Sequence, residues 1–250
     1  MVSVNPFGRR KGPRCIRGLF CGSRSDGWSV HEPTKGGNMG RRKREHKQDL
    51  LIHVTAHAIP DRLCCPDQSS RTRFVQLALS ASTREPCRVH AYAMMDNHIH
   101  LLMAGERDGA IGRMLKWLLG QHAVCLNKVE GRSGPLWRDR YTFIPIENEV
   151  HLLRSHLYIE ANPWRAGLVE HPNQSTWTSF HFNGLGQKDE LLSPHEVLLN
   201  LAGQDGDWRA AYRQFMDEYI QTAIRYKSPN RKALYSDPLA GLHVYGVDLR

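Results

Sequence analysis

The sequence predicts an α+β fold in which an antiparallel sheet and its helices follow the order β-α-β-β-α-β, with one further helix behind. Three observations carry that prediction. Four short stretches are rich in apolar and β-branched residues, as strands are. Two longer stretches between them space their apolar residues three and four apart, which gathers them on one helical face. Only Met95, Asp96 and Asn97 separate the second strand from the third, and the turn-forming pair Asp96-Asn97 makes the two a hairpin.

In chain order, residues 1–48 are rich in Gly, Arg, Lys and Ser and lack apolar periodicity. Such a segment cannot bury enough apolar surface to fold alone. It is either a flexible basic arm that touches phosphates or a stretch that precedes the true start, because Met39 opens MGRRKREHKQDLLIHV. Residues 50–58 (LLIHVTAHA) form the first strand, and 61–66 a loop. Residues 71–82 carry Phe74, Val75, Leu77, Ala78 and Leu79 at helical spacing. Residues 89–94 and 98–103 are the hairpin strands, closed by 105–109. A long amphipathic helix spans 111–129, with Met114, Leu115, Leu118, Leu119, Val124 and Leu126 as its apolar set. Gly131 to Pro135 break it, and 141–146 form the fourth strand. The helix over 147–161 follows, and Pro163 ends it, because the residue before a proline avoids the α region. This is the split-βαβ, ferredoxin-like pattern, with helices on one face of the sheet. Beyond Trp177 the signals weaken to helices over 194–201 and 208–224 and a loosely ordered tail from Tyr226. Three parts follow: a disordered basic extension (1–48), the folded domain (49–186), and a helical extension with its tail (187–250).

Composition bounds the function. Lys and Arg outnumber Asp and Glu by 34 to 25, and the pI is near 9.4, a balance that suits a polyanionic partner. Cys15, Cys21, Cys64, Cys65, Cys87 and Cys125 make no C-x-x-C pair, against a zinc ribbon and against a disulfide scaffold. Free thiols in a reducing cytoplasm are the simpler account. No apolar run approaches the roughly 18 residues of a membrane span, and no apolar signal-peptide core follows the basic first residues.

The stretch 93–104, AMMDNHIHLLMA, organises the chemistry. On a strand, His98 and His100 point the same way while Ile99 and Leu101 point to the other side. Two neighbouring imidazoles make a half-site for a divalent metal, or else a buried strand that tolerates two histidines. On the helix over 147–161, Tyr158 stands four residues before Asn162, on one helical face. Tyr158 is thus a nucleophile candidate, with an amide oxygen one turn away. Two histidines and one amide oxygen would leave positions open for phosphate oxygen and water, and Mg²⁺ or Mn²⁺ suits such a mixed site. A phenol is a weak nucleophile at neutral pH, so the site must help to deprotonate it. Taken singly, Tyr158 is equally an ordinary tyrosine at a helix edge and Asn162 a turn residue; only the combination is specific.

His98-Ile99-His100 resembles the histidine-hydrophobe-histidine motif of the HUH endonucleases. The stretches LWRDRY (136–141) and LYIEANPWRAGLV (157–169) resemble the single-tyrosine transposases of that class, and Trp177-Thr178-Ser179-Phe180 fits the segment that often follows. The nearest branch is the REP-associated tyrosine transposases and their insertion-sequence relatives, over roughly residues 50–186. The resemblance implies that His98 and His100 bind the metal, that Tyr158 is the nucleophile, and that Asn162 takes the third ligand's place. It also implies nicking and rejoining of hairpin-forming single-stranded DNA near palindromic repeats through a 5′-phosphotyrosine, beside the nucleoid in the cytoplasm. One departure is Asp96, where the family usually has proline; its carboxylate either adds to metal affinity or shapes the turn. Arg138, Arg140, Arg154 and Arg165 flank the site and could hold phosphates or form a solvated basic face. Trp137, Trp164 and Trp177 could stack on bases or pack in a core. A domesticated hairpin-binding protein that does not cut is the alternative, and a hydrolase using water is a third reading. A homodimer is left open.

Overall fold

Alternation along the first strand decides what each face of the sheet does. The computed structural model describes residues 46–201 and 206–225. Strand β1 (Leu51–His57) turns Ile52, Val54 and Ala56 into the core and presents His53, Thr55 and His57 on the other face. It lies between β3 (His98–Gly105) and β4 (Thr142–Pro145), and β3 pairs in turn with β2 (Cys87–Met94). The order is β2-β3-β1-β4, antiparallel at every step. That is the arrangement expected from the βαββαβ order.

Helices α1 (Gln68–Arg84) and α2 (Ala110–Val129) cover the apolar face. Phe74, Met114 and Leu118 meet Val54, Ile99, Leu101 and Met103 there, all within 2% of full burial. Helix α1 starts three residues earlier than its apolar spacing shows, because Asp67 caps it. The Asp67 carboxylate accepts from Ser70 N–H at 2.7 Å, and Ser70 Oγ accepts from Asp67 N–H at 3.1 Å, a reciprocal capping box.

Helix α3 (Glu149–Glu160) crosses the opposite face. Ala91, Ala93 and Leu102 of the sheet meet its Leu152 and Ile159, and the two alanines let the helix approach closely. A second stripe of α3, Leu153 and Leu157 with Ala161 beyond it, packs into another core with Phe180, Leu198, Trp208, Tyr212 and Met216. Those residues come from α5 (Phe180–Asn183), α6 (Glu196–Leu199) and α7 (Trp208–Arg225).

Helix α3 ends before Pro163, as expected, with Ala161 as its C-cap. A separate single turn follows as α4 (Asn162–Arg165), where proline sits at the second position and its missing N–H costs little. Gly167, at φ +72°, terminates that turn. The extra turn brings Arg165 back beside Tyr158. Helix α5 went unread because four residues show no period. Expectations for residues 1–45 and 226–250 lie outside the described residues. His46, three residues before the expected domain start, is already buried and bonded to Tyr141, Nε2 to hydroxyl oxygen 2.9 Å.

Candidate active site

Strand register assembles four histidines on one face. His57 lies opposite His98, and Thr55 opposite His100. The His57 and His98 rings stack with centroids 4.9 Å apart, and His98 and His100 meet edge to face at 4.9 Å. Behind them, the His53 Nε2 is 2.9 Å and the Thr55 Oγ1 3.2 Å from Nδ1 of His100. His53, Thr55 and His57 were not singled out in the sequence. Their spacing in LLIHVTAHA already puts all three on one strand face.

Burial keeps these rings neutral. It pulls His98 down to about 4, helped by the neighbouring His57, and His53 likewise to about 4, helped by His151. His100 lies well below its ordinary value, first through burial and then through His53. A neutral imidazole is the form that ligates a metal. In the tautomer with Nδ1 protonated, His98 donates to Asn97 Oδ1 at 2.7 Å, and His100 donates to His53. Both then turn a bare Nε2 away from these partners, the second-shell arrangement that orients histidine ligands. The Nε2 of His100 is buried and has no hydrogen-bond partner.

The facing helix supplies the other half. His151, Arg154, Tyr158, Asn162 and Arg165 follow one another at three- and four-residue steps, so α3 and α4 present them as one polar stripe. Asn162 stands beside His98, and its Nδ2 donates to the Tyr158 carbonyl at 3.2 Å. The half-buried Tyr158 ring is 5.8 Å from His100 and 5.9 Å from His53, edge to face with both. Thus His98, His100, Tyr158 and Asn162 are brought together. Among the described residues, no three His, Cys, Asp or Glu side chains converge as a metal site; an amide oxygen would have to complete the set.

The arginines divide. Arg138 and Arg140 are both exposed, and Arg138 borders a cleft of about 380 Å³ shared with His57, Asn97 and Arg62. Arg154 is half-buried on the polar stripe. Arg165 instead lies over the Tyr158 ring, 5.0 Å from its centroid, and donates to the Tyr219 hydroxyl at 3.1 Å. Trp137 and Trp177 pack against the first core and Trp164 against the second. Asp96 is paired with Arg71, and its carbonyl accepts from the Cys64 and Cys65 amides at 2.7 and 3.0 Å. It shapes the turn from which His98 starts.

Beneath the stripe, Glu160 is fully buried and accepts from Ser179 Oγ at 2.5 Å, Asn183 Nδ2 at 2.7 Å and the Tyr212 hydroxyl at 2.6 Å. Burial still pushes it up to about 7 against those three donors. Nothing in the sequence marked Glu160, since its partners lie 19 or more residues away.

The family described as "Transposase IS200 like" matches residues 47–162. A solved structure of the REP-associated tyrosine transposase bound to a REP hairpin is similar in fold, with a TM-score of 0.50 and 16% identity. That likeness covers 63% of this chain and 93% of the other. No curated protein matches the chain. From just before the first strand to the asparagine beside His98, the chain is matched by the IS200-like transposase family, and the REP-associated tyrosine transposase shares its fold.

Proposed function

We propose that this chain nicks and rejoins hairpin-forming single-stranded DNA through a covalent bond between Tyr158 and a 5′ phosphate. The observation that carries this reading is the meeting of Tyr158 with His100 across the gap between α3 and the sheet, with Asn162 beside His98. The solved relative's REP hairpin supports a hairpin strand as substrate. Among the described residues no helix is long and apolar enough to cross a membrane.

The residues fit a divalent cation such as Mg²⁺ or Mn²⁺. The orphaned, buried Nε2 of His100 is a donor atom awaiting a partner, the neutral rings need lose no proton to bind, and Asn162 supplies an oxygen beside His98. His98, His100 and Asn162 would hold the ion. When bound, it would polarise the phosphodiester and stabilise the charge that develops there.

The chain's own residues do the rest. The Tyr158 oxygen attacks phosphorus and loses its proton as the P–O3′ bond breaks. The departing 3′ oxygen takes up a proton, leaving a 3′-hydroxyl and a 5′-phosphotyrosine. One phosphodiester is exchanged for another, so no nucleotide energy source is required. A 3′-hydroxyl later attacks the adduct and restores the strand. Arg138, Arg140 and Arg154 would hold backbone phosphates on either side.

Tyr158→Phe tests the reading, because it keeps the ring and removes the attacking oxygen. With Mn²⁺ and end-labelled hairpin strands on a denaturing gel, wild type should give a slow-migrating adduct that carries the label 3′ of the nick. Tyr158→Phe should give neither cut nor adduct while binding the hairpin as before. Cutting that persists in the variant would move the nucleophile to water or another residue. A wild type that binds and never cuts would make the chain a hairpin-binding protein. Calorimetric titration with Mn²⁺ checks the ligands: His98→Ala and His100→Ala should each weaken binding at least tenfold. Unchanged binding in the double variant would remove them from the metal.

A further inference from the structure

We propose that α7 positions the nucleophile, acting through Tyr219 on Arg165 and through Tyr212 on Glu160. The inference rests on Tyr158 being that nucleophile. It concerns a helix that begins 46 residues beyond the end of the matched family segment at residue 162.

Tyr212 and Tyr219 are seven residues apart, two turns along one face of α7, and both are buried, at 0% and 1% exposure. Their rings pack in the second core, where phenylalanine would serve as well. The two hydroxyls are what packing leaves unexplained. Each reaches a residue that brackets Tyr158 in the chain. The Tyr212 hydroxyl donates to Oε2 of Glu160 at 2.6 Å, and the Tyr219 hydroxyl accepts from Nη1 of Arg165 at 3.1 Å.

Glu160 ties α3 to its surroundings. Its other oxygen is held by Ser179 and Asn183, and Ser179 Oγ accepts from the Tyr92 amide of β2 at 2.9 Å. The carboxylate therefore links the sheet, α5 and α7 at a point two residues from Tyr158. A buried carboxyl group with three directional partners fixes its helix in rotation and along its axis far better than apolar contact does. Arg165 acts on the other side. Its guanidinium lies over the phenol ring, an attractive cation–π arrangement, and Tyr219 stops it from swinging into solvent. Ring and helix are thus held from two directions, and misplacement of a reacting group by about 1 Å costs on the order of 100-fold in rate.

The experiment uses the full chain with saturating hairpin strand and Mn²⁺, following adduct formation in a single turnover. Hairpin affinity, melting temperature and the ring signals of ¹³C-tyrosine-labelled protein are measured alongside. Arg165→Ala should slow adduct formation by roughly 10- to 100-fold and Tyr219→Phe by about tenfold. Hairpin affinity should stay within twofold, and the Tyr158 ring signals should move in both variants. Arg165→Lys, which keeps the charge but not the planar fork, should recover only part of the rate. Tyr212→Phe should slow the reaction at temperatures where the protein remains folded. Wild-type rates in Arg165→Ala and Tyr219→Phe would overturn the proposal. So would a loss confined to hairpin affinity, which would make Arg165 a phosphate contact, or a lowered melting temperature with rate and Tyr158 signals unchanged, which would leave α7 a packing element. A wild type that forms no adduct would instead sink the nucleophile assignment, and the Tyr158 ring signals would still decide whether α7 fixes that side chain.

Discussion

His156 stands two residues before Tyr158, fully buried, with both ring nitrogens lacking a hydrogen-bond partner. Burial, then the nearby His90 and His195, hold it neutral well below its ordinary value, and the Tyr212 ring meets it edge to face at 6.2 Å. Unfolding returns it to water and to a pKa near 6.5. Below that pH the unfolded chain binds a proton that the folded chain does not, so stability falls as pH falls, by up to about 1.4 kcal/mol per pH unit for this one group. His90, pulled down to about 4 by burial and only partly supported by the Ser193 carbonyl, works in the same sense. His156→Leu removes one of these proton uptakes along with an unpaired buried polar ring. Urea unfolding should therefore show the variant gaining on wild type between pH 7.5 and pH 5.5, with the two nearly matched or the variant ahead at the higher pH. A stability difference that stays constant over that range would mean that His156 takes up its proton in the folded protein as it does in the unfolded chain.

At the scale of elements, what was legible in the sequence follows from where the information lies. Strands and the two long helices were readable because period two and period 3.6 are local properties. His98 and His100 were readable because alternation alone aligns them, and so was the shared helical face of Tyr158 and Asn162. Pro163 marked the end of α3, but not the separate turn that follows, because a proline forbids a hydrogen bond without saying how the backbone goes on. Here a glycine four residues later ends the turn, and the helical course in between returns Arg165 to the phenol. The α3 helix was harder still. It is apolar on two stripes and polar on a third, since it faces the sheet, α7 and the histidines at once. An amphipathic pattern cannot tell which stripe meets which partner. Asn183 and Tyr212 carried no signal, and Ser179 only its place in the Trp177–Phe180 segment, because their common partner Glu160 is specified only by folding.

For the whole molecule, the formal charge of +9 becomes meaningful only through where positive groups stand relative to the site. Ion pairs among the described residues spend several arginines internally. Arg62 with Glu130, Arg71 with Asp96, Arg88 with Asp49 and Arg113 with Glu85 are examples. Arg165 is engaged with Tyr158 and Tyr219. Exposed Arg138, 3.4 Å from Asp139, borders the cleft next to His57, exposed Arg140 stands two residues further on, and Arg154 lies on the polar stripe with Tyr158. If those three each neutralise a phosphate of a single strand, each contributes about −0.7 to the slope of log affinity against log salt, roughly −2 together, beyond what residues outside the described part add. Hairpin binding should therefore weaken steeply with salt, and the Arg138→Ala, Arg140→Ala double variant should bind with a slope shallower by about 1.4. Tyr158→Phe removes no charge, so its slope should equal that of wild type. Titrations across a range of KCl concentrations, run on all three proteins with one hairpin strand, separate these effects. A double variant with the wild-type slope would place the phosphate backbone on another face of the protein, away from the cleft beside His57.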